Sequence, residues 1–366
     1  MANILPTQGD EEIFGDFPLR HTYISQSEIR AKFEALRRVS PQFDILPTPY
    51  YIKAIPDLDV RFFDPVTGKS NFVILVVGAN DFLDYGVIVD WFTEPQRIRA
   101  RMSGEKQTPL ESYLSRDDYF KRKATSAAMH DPAMRGQKFV FVLREIIYRD
   151  AAREVSTFRV NVMAAMIRRF SARRILDPCA GWGSRLLGAI AEDVDYYCGV
   201  DPNAELHPAY REMIDFFSRD SLRGHYDMIC APFETAQLPD ACKDVDLVIT
   251  SPPYFDYEIY SSDPQQSIIA HSGFEAWYND FLIPLFRKSV TCAKIGGIIA
   301  IIISDPLPNP NSRGCREPFV QRMIADFNRQ YNARYLGVIA YAEKSIKNRQ
   351  SIYRSPQPIF IWQKKE

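Results

Sequence analysis

The sequence predicts an α/β protein built on a doubly wound, largely parallel sheet. Three observations carry that prediction. Short apolar runs alternate with helical patterns from about residue 157 onward. A glycine-bearing turn follows the first of these runs, and GGIIAIIIS at 296–304 is aliphatic throughout, as a strand covered on both faces must be. Two further apolar runs near the C-terminus have no helix between them and predict an antiparallel hairpin closing the sheet. Residues 1–150 read as a separate α+β unit, which gives an expected division into 1–150 and 151–366.

Within the N-terminal unit, FVILVV (72–77) and VIVDWF (87–92) have strand-like composition, and Asp64-Pro65 and Thr67-Gly68 are turn signals. ARRILDP (172–178) is the first buried-strand run of the second unit, and GSRLLGAIAED after it carries apolar residues at helical spacing. YYCGVD (196–201) then leads into the helical ELHPAYREMIDFFSR, and YDMIC (226–230) precedes a short connection. VDLVIT (245–250) is a fourth strand, a helical stretch runs from Phe274 to Ala293, and the aliphatic strand at 296–304 follows. The terminal hairpin is expected from YLGVIAY (335–341) and PIFIWQ (358–363), joined by the basic loop AEKSIKNRQSIYRSPQ.

Composition bounds the function. Of the 366 residues, 46% are hydrophobic and 25% charged, the profile of a globular enzyme rather than a disordered chain. No apolar run approaches the roughly 20 residues needed to span a bilayer, and the first residues lack a basic start followed by an apolar stretch, so a cytoplasmic protein off the membrane is expected. The six cysteines are scattered without a Cys-x-x-Cys pair, which argues against a disulfide framework and against a zinc site. A net charge of -1 gives no global pull toward nucleic acid, so phosphate contacts require local patches. Three patches qualify: Arg97, Arg99, Arg101 and Lys106; Lys121, Arg122 and Lys123; and Lys344, Lys347, Arg349 and Arg354.

Chemistry concentrates in three segments. Asp177-Pro178-Cys179-Ala180-Gly181-Trp182-Gly183 lies where a strand turns into a helix, and its glycines let the backbone pass close to a ligand. Leu186 stands where a dinucleotide fingerprint needs its third glycine, and no phosphate-cradling lysine follows, which argues against NAD and ATP. Asp201 ends the next strand about 20 residues on, where an acid can accept both hydrogen bonds of a ribose diol or cap the next helix, a role Asn203 could share. Thr250-Ser251-Pro252-Pro253-Tyr254 ends the fourth strand. Two successive prolines cannot continue a ladder or a helix, so they fix a rigid turn with free carbonyls, and an aromatic ring follows at once. A planar amine needs such a place, with in-plane acceptors for its two N–H groups and a ring face to stack on.

Together these segments resemble the S-adenosylmethionine-dependent amino-methyltransferase family, which includes N6-adenine and N4-cytosine DNA methyltransferases and related RNA-base and glutamine enzymes. The resemblance covers most of residues 157–363. It implies a class I methyltransferase (Rossmann-like) core with S-adenosyl-L-methionine as cofactor. Asp177, Pro178, Cys179, Ala180, Gly181 and Gly183 match the cofactor loop, and Asp201 matches the ribose-binding acid. Phe158, in Thr157-Phe158-Arg159, matches the segment at the methionine end of the cofactor, and Pro232 and Phe233 match the adenine contacts. Ser251, Pro252, Pro253 and Tyr254 match the catalytic tetrad, and QPIFIWQKK is similar to the closing strand. The order of these segments is that of the family's γ group. Cys179 and Trp182 resemble methyltransferase-like proteins of large DNA viruses and phages. The large target-recognition domain usual after the tetrad is absent, leaving the loop 342–357. The resemblance implies an exocyclic base amine as target, in DNA first, with serine at the head of the tetrad leaning toward cytosine N4. RNA bases, a protein glutamine, or a non-catalytic binding or virion role are the alternatives.

Overall fold

A computed structural model describes residues 13–52, 55, 58–78, 85–102, 104–305, 318–347 and 350–366. Its strands are β1 (Gln42–Leu46), β2 (Phe62–Phe63), β3 (Ser70–Val77), β4 (Arg101–Met102), β5 (Arg174–Asp177), β6 (Tyr196–Val200), β7 (Tyr226–Ile229), β8 (Val245–Thr250), β9 (Glu258–Ile259), β10 (Ala293–Ile301), β11 (Ala333–Lys347) and β12 (Gln350–Lys364). The longer helices are α1 (Gln26–Arg37), α2 (Val87–Arg97), α3 (Asp117–His130), α4 (Phe139–Asp150), α5 (Val160–Arg169), α6 (Ser184–Ala191), α7 (His207–Phe217), α8 (Ile283–Cys292) and α9 (Val320–Gln330).

Among the described residues ten strands form one sheet, in the order β1-β3-β2-β11-β12-β10-β8-β5-β6-β7. Strands β7, β6, β5, β8 and β10 run parallel, and β12 is antiparallel to both β10 and β11. From β7 to β11 this is the class I methyltransferase order, with a reversed strand inserted between the fifth and sixth positions. Each central strand is buried on both faces. Leu247 and Ile249 of β8 face one apolar cluster and Val248 the other, and Ile361 and Trp362 of β12 divide in the same way. Helices α1, α2, α5, α6 and α7 cover the first face, and α8 and α9 the second.

The N-terminal segment continues this sheet. β3 runs parallel to β11, with Ile339 opposite Val73 and Glu343 opposite Val77, and β1 and β2 complete that edge. Val73 and Leu75 join the same cluster as the central strands. Strands β1, β2 and β3 therefore lie in the same layer as the central strands, because β11 offers a second edge with unpaired backbone groups and β3 satisfies it, while β4 pairs with β9 in a separate two-stranded ladder. Gly337 marks the crowded point: φ is +107° and an added Cβ would sit 1.8 Å from the Arg61 carbonyl. A smaller helical cluster, centred on Tyr113, Phe120, Val142 and Ile146, packs α3 against α4 with its own core.

Two local expectations are corrected. VIVDWF, read as a strand, lies in α2, whose buried residues run from Val87 through Glu94. A six-residue run with five apolar side chains cannot distinguish a strand from a buried helix. The basic loop 342–357 is instead mostly paired backbone: Lys344 faces Tyr353 and Lys347 faces Gln350, so the hairpin extends as a two-stranded ribbon.

Candidate active site

β5 ends at Asp177, fully buried. Its Oδ2 accepts from Arg185 Nε and from the Tyr197 hydroxyl, each at 2.8 Å, and Oδ1 accepts from the Cys179 N–H at 3.4 Å. Arg185 also donates to the Cys179 carbonyl. Asp177 thus shapes the turn from beneath rather than facing the ligand space. Arg185 is a residue that motif reading missed. Its signal was a lone charge in the apolar helix SRLLGAIA, since a buried guanidinium demands a partner. Gly181 and Gly183 have φ of +56° and +88°, the left-handed region that glycine enters without strain. At Gly183 a Cβ would also come within 3.3 Å of Met213 Cε and 3.4 Å of the Tyr210 ring.

The loops after β5 and β6 are joined through Asp201. Its Oδ2 accepts from the Gly181 N–H at 2.8 Å and its Oδ1 from the Asn203 N–H at 2.9 Å. Tyr210 donates to the Gly181 carbonyl, and the His207 ring nitrogen meets the Asp201 carbonyl at 2.9 Å. Burial pushes the Asp201 carboxyl up to about 6, against the pull of the Asn203 and Gly181 N–H bonds. Each oxygen keeps a second lone pair, and the carboxylate borders the cavity. The helix-cap role falls to Asn203, whose side chain accepts from Glu205 N.

At the end of β8 the chain turns sharply. The Pro253 carbonyl accepts from the Phe255 N–H and the Tyr254 carbonyl from the Tyr257 N–H, both at 3.0 Å, and Phe255 takes a φ of +48°. Among the described residues no turn or loop N–H takes the Pro252 carbonyl. Burial holds the Tyr254 hydroxyl neutral, with Tyr341 and Glu258 adding to the effect and a Ser251 hydrogen bond opposing it.

One cavity of about 470 Å³ joins these parts, within the roughly 300–1,000 Å³ usual for small-molecule sites. Of the residues singled out from sequence, Phe158, Pro178, Cys179, Ala180, Gly181, Asp201, Pro232, Phe233, Ser251, Pro253 and Tyr254 line it. Asp177, Gly183 and Pro252 stand behind the wall. Glu234, which follows Pro232 and Phe233 in the segment that the resemblance places at adenine, lines it too; Glu258, Tyr260 and Tyr341 also line it and were missed, since they follow or precede the motifs without a spacing of their own. Glu234 Oε1 meets the His271 ring nitrogen at 3.1 Å, while Oε2 is buried with no partner among the described residues. Thr157 Oγ1 and Ser267 Oγ, in the same wall, are likewise without partners among the described residues. Buried polar atoms left this way are satisfied by water or by a bound molecule.

The basic patches fare differently. Arg97 is buried, with 1% of its side chain exposed, and pairs with Asp90 at 2.7 Å and with Glu154, so it is no phosphate contact: a charge inside α2 needs internal anions. Arg99 pairs with Glu205, Lys121 with Asp16 at 2.7 Å, Lys123 with Asp150 at 2.5 Å, and Lys344 with Asp44 at 2.7 Å. Arg101 donates to the Glu105 carbonyl at 2.9 Å. Lys106, Arg122 and Arg354 are exposed. Arg349 and the Lys347 side chain lie outside the described residues. No described helix is long and apolar enough to cross a membrane.

No protein-family profile matches the sequence, and no curated protein does. Among solved structures, the chain is similar to an S-adenosylmethionine-dependent O-methyltransferase from Thermotoga maritima, at 12% identity and a TM-score of 0.35 over 61% of this chain and 71% of that one. A tRNA methyltransferase from Aquifex aeolicus gives 10% identity and a TM-score of 0.35 over 58% of this chain and 71% of that one. A tRNA methyltransferase from M. jannaschii gives 13% and 0.34 over 56% and 49%.

Proposed function

We propose that this chain is an S-adenosyl-L-methionine-dependent methyltransferase acting on a planar, conjugated NH2 group, the exocyclic amine of a nucleic-acid base, with DNA as the first candidate. The observation that carries the reading is that the glycine loop with Asp201 and the rigid Ser251–Tyr254 turn open on the same cavity.

The residues present fit the cofactor. Pro232 and Phe233 offer an apolar wall for adenine, and the orphan Glu234 Oε2 would accept from its amino group. Asp201 would take the ribose hydroxyls on its remaining lone pairs, and Phe158 with Thr157 would meet the methionine end. When bound, the cofactor supplies an electrophilic sulfonium methyl. The protein's part is to hold the amine. Ser251, on the cavity wall, accepts one of its two N–H groups, and the Pro252 carbonyl, set behind that wall, would accept the other once the turn brings it into the cavity; the pair draws the nitrogen toward tetrahedral geometry, which frees its lone pair to attack in line. Tyr254 stacks on the target ring. No strong base is needed, because the methylated nitrogen is acidic and its proton leaves to solvent. A base in a duplex must first be flipped out. The β11–β12 ribbon stands where a recognition element is otherwise lacking, and a two-stranded ribbon fits a major groove.

A protein glutamine is the second reading, and one observation favours it: Arg97, Arg99, Lys121, Lys123 and Lys344 are engaged by carboxylates, which leaves fewer cations for phosphates. Incubation with methyl-labelled cofactor and pools of DNA, RNA and protein, followed by digestion to nucleosides or amino acids, tests both. Label in N4-methylcytosine or N6-methyladenine supports the first reading. Label in methylglutamine supports the second, and none in any pool despite tight cofactor binding supports a non-catalytic role.

A further inference from the structure

Glu258 follows Tyr254 by four positions and borders the cavity, yet the amine-holding scheme above makes no use of it. Only 5% of it is exposed. A buried carboxylate is costly unless donors surround it, and here three converge. Oε1 accepts from both the backbone N–H and the hydroxyl of Ser156, each at 2.7 Å, and Oε2 accepts from the Tyr260 hydroxyl at 2.7 Å. Burial still leaves its carboxyl above the usual carboxylate range.

These donors come from separate stretches of chain. Ser156 stands two residues before Phe158 and 102 residues before Glu258 in sequence. The Tyr260 ring meets the Trp182 ring of the glycine loop edge-on, with centroids 5.9 Å apart and planes at 69°. Trp182 is fastened in turn by its carbonyl, which accepts from Thr93 Oγ1 of α2 at 3.0 Å. Met102 pairs with Glu258 in the small β4–β9 ladder, so the N-terminal segment reaches the same point. One carboxylate therefore links the segment before α5, the loop after the tetrad and, through Tyr260, the glycine loop.

We infer that Glu258 is a positioning residue: by fastening Ser156 and Tyr260 in the cavity wall it fixes the methyl-donor end of the cofactor relative to Tyr254. The inference rests on the reading that Phe158 lies at the cofactor's methionine end. It also gives Trp182 a task, since Tyr260 passes the alignment to the loop through that ring.

The test uses the full chain with Glu258→Ala, Ser156→Ala and Tyr260→Phe. An alanine removes both acceptor oxygens and so breaks the Ser156 and Tyr260 bonds together, whereas a glutamine could keep Ser156 on its oxygen and turn its amide toward the Tyr260 hydroxyl, which also accepts. Calorimetry with S-adenosylhomocysteine is expected to give dissociation constants within about threefold of wild type, while single-turnover transfer to the methylated pool slows at least tenfold in Glu258→Ala. Adding Ser156→Ala to Glu258→Ala is expected to cost less than twofold more, because both break one linkage. Amide exchange gives a readout independent of substrate: with S-adenosylhomocysteine bound, residues 153–160 and 256–262 gain protection together in wild type and separately in Glu258→Ala. Wild-type transfer and joint protection in Glu258→Ala would overturn the proposal, as would a loss of transfer that only tracks lost cofactor affinity. If Glu258→Ala does not fold, Tyr260→Phe decides by the same criteria. Failure of wild type to bind S-adenosylhomocysteine overturns the cofactor reading and the proposal with it, an outcome distinct from the others.

Discussion

Asp201 carries two burdens, bracing Gly181 and facing the cavity, and they separate by pH. Its raised carboxyl keeps its proton up to about pH 6 in the folded chain, well above where the unfolded chain loses it. Its contribution to folding is therefore full below the ordinary value of 3.8 and lost as pH rises through about 6. On the proposed reading binding runs the other way, since the carboxylate would hold the ribose hydroxyls. Cofactor affinity is expected to rise with pH through about 6 and then flatten, and calorimetry between about pH 5 and pH 8 checks it; Asp201→Asn should flatten the profile. Asp201→Ala is expected to weaken S-adenosylmethionine binding by about 1–3 kcal/mol, the scale of two hydrogen bonds. Tyr254→Ala is expected to leave that affinity nearly intact and to slow single-turnover transfer by roughly 10² or more, with Tyr254→Phe mild because stacking rather than the hydroxyl is at stake. Full activity in Tyr254→Ala would reject the stacked-amine mechanism.

Among the elements, α2 is held by charge as well as by apolar contact. Arg97 binds Asp90, Arg144 binds Glu94, and the Tyr148 hydroxyl reaches Glu94 at 2.9 Å, all within the interior. Removing one partner strands the others without water. Arg97→Ala is thus expected to cost about 3–5 kcal/mol in denaturant unfolding. The exposed pair Arg99–Glu205 is the control, and Arg99→Ala should cost about 1 kcal/mol or less. Equal losses at the two sites would refute the buried network as a determinant of stability. Because Thr93 of α2 holds the Trp182 carbonyl, loosening this helix is also expected to lower cofactor affinity.

At the scale of the whole molecule, the sheet crosses the division near residue 150. A chain of residues 151–366 alone would expose the β11 edge that β3 covers and the apolar face under α1 and α2. Such a fragment is expected to unfold without a sharp transition, to bind a hydrophobic dye and to aggregate. A soluble fragment with a cooperative transition would show instead that the N-terminal strands are an addition rather than a part of the core.

Sequence alone determined the order of the central strands, the two loops at their C-terminal ends and the tetrad. Those features are local: an aliphatic run, a glycine at positive φ or a Pro-Pro turn is dictated by neighbours along the chain. Tertiary structure decided the rest. The run VIVDWF is too short to show the helical period that Asp90 completes only with Glu94 and Arg97, so it read as a strand. The pairing of β3 with β11 joins residues more than 250 positions apart, and no local pattern encodes a choice of edge. Charges gave the least away, because Arg97, Lys121 and Lys344 acquire partners only when the chain closes. The same holds in part for Glu258: Tyr260 is two positions away along the chain, but the N–H and hydroxyl of Ser156, 102 positions earlier, reach the carboxylate only through packing, since burial makes a carboxylate seek donors wherever the fold supplies them.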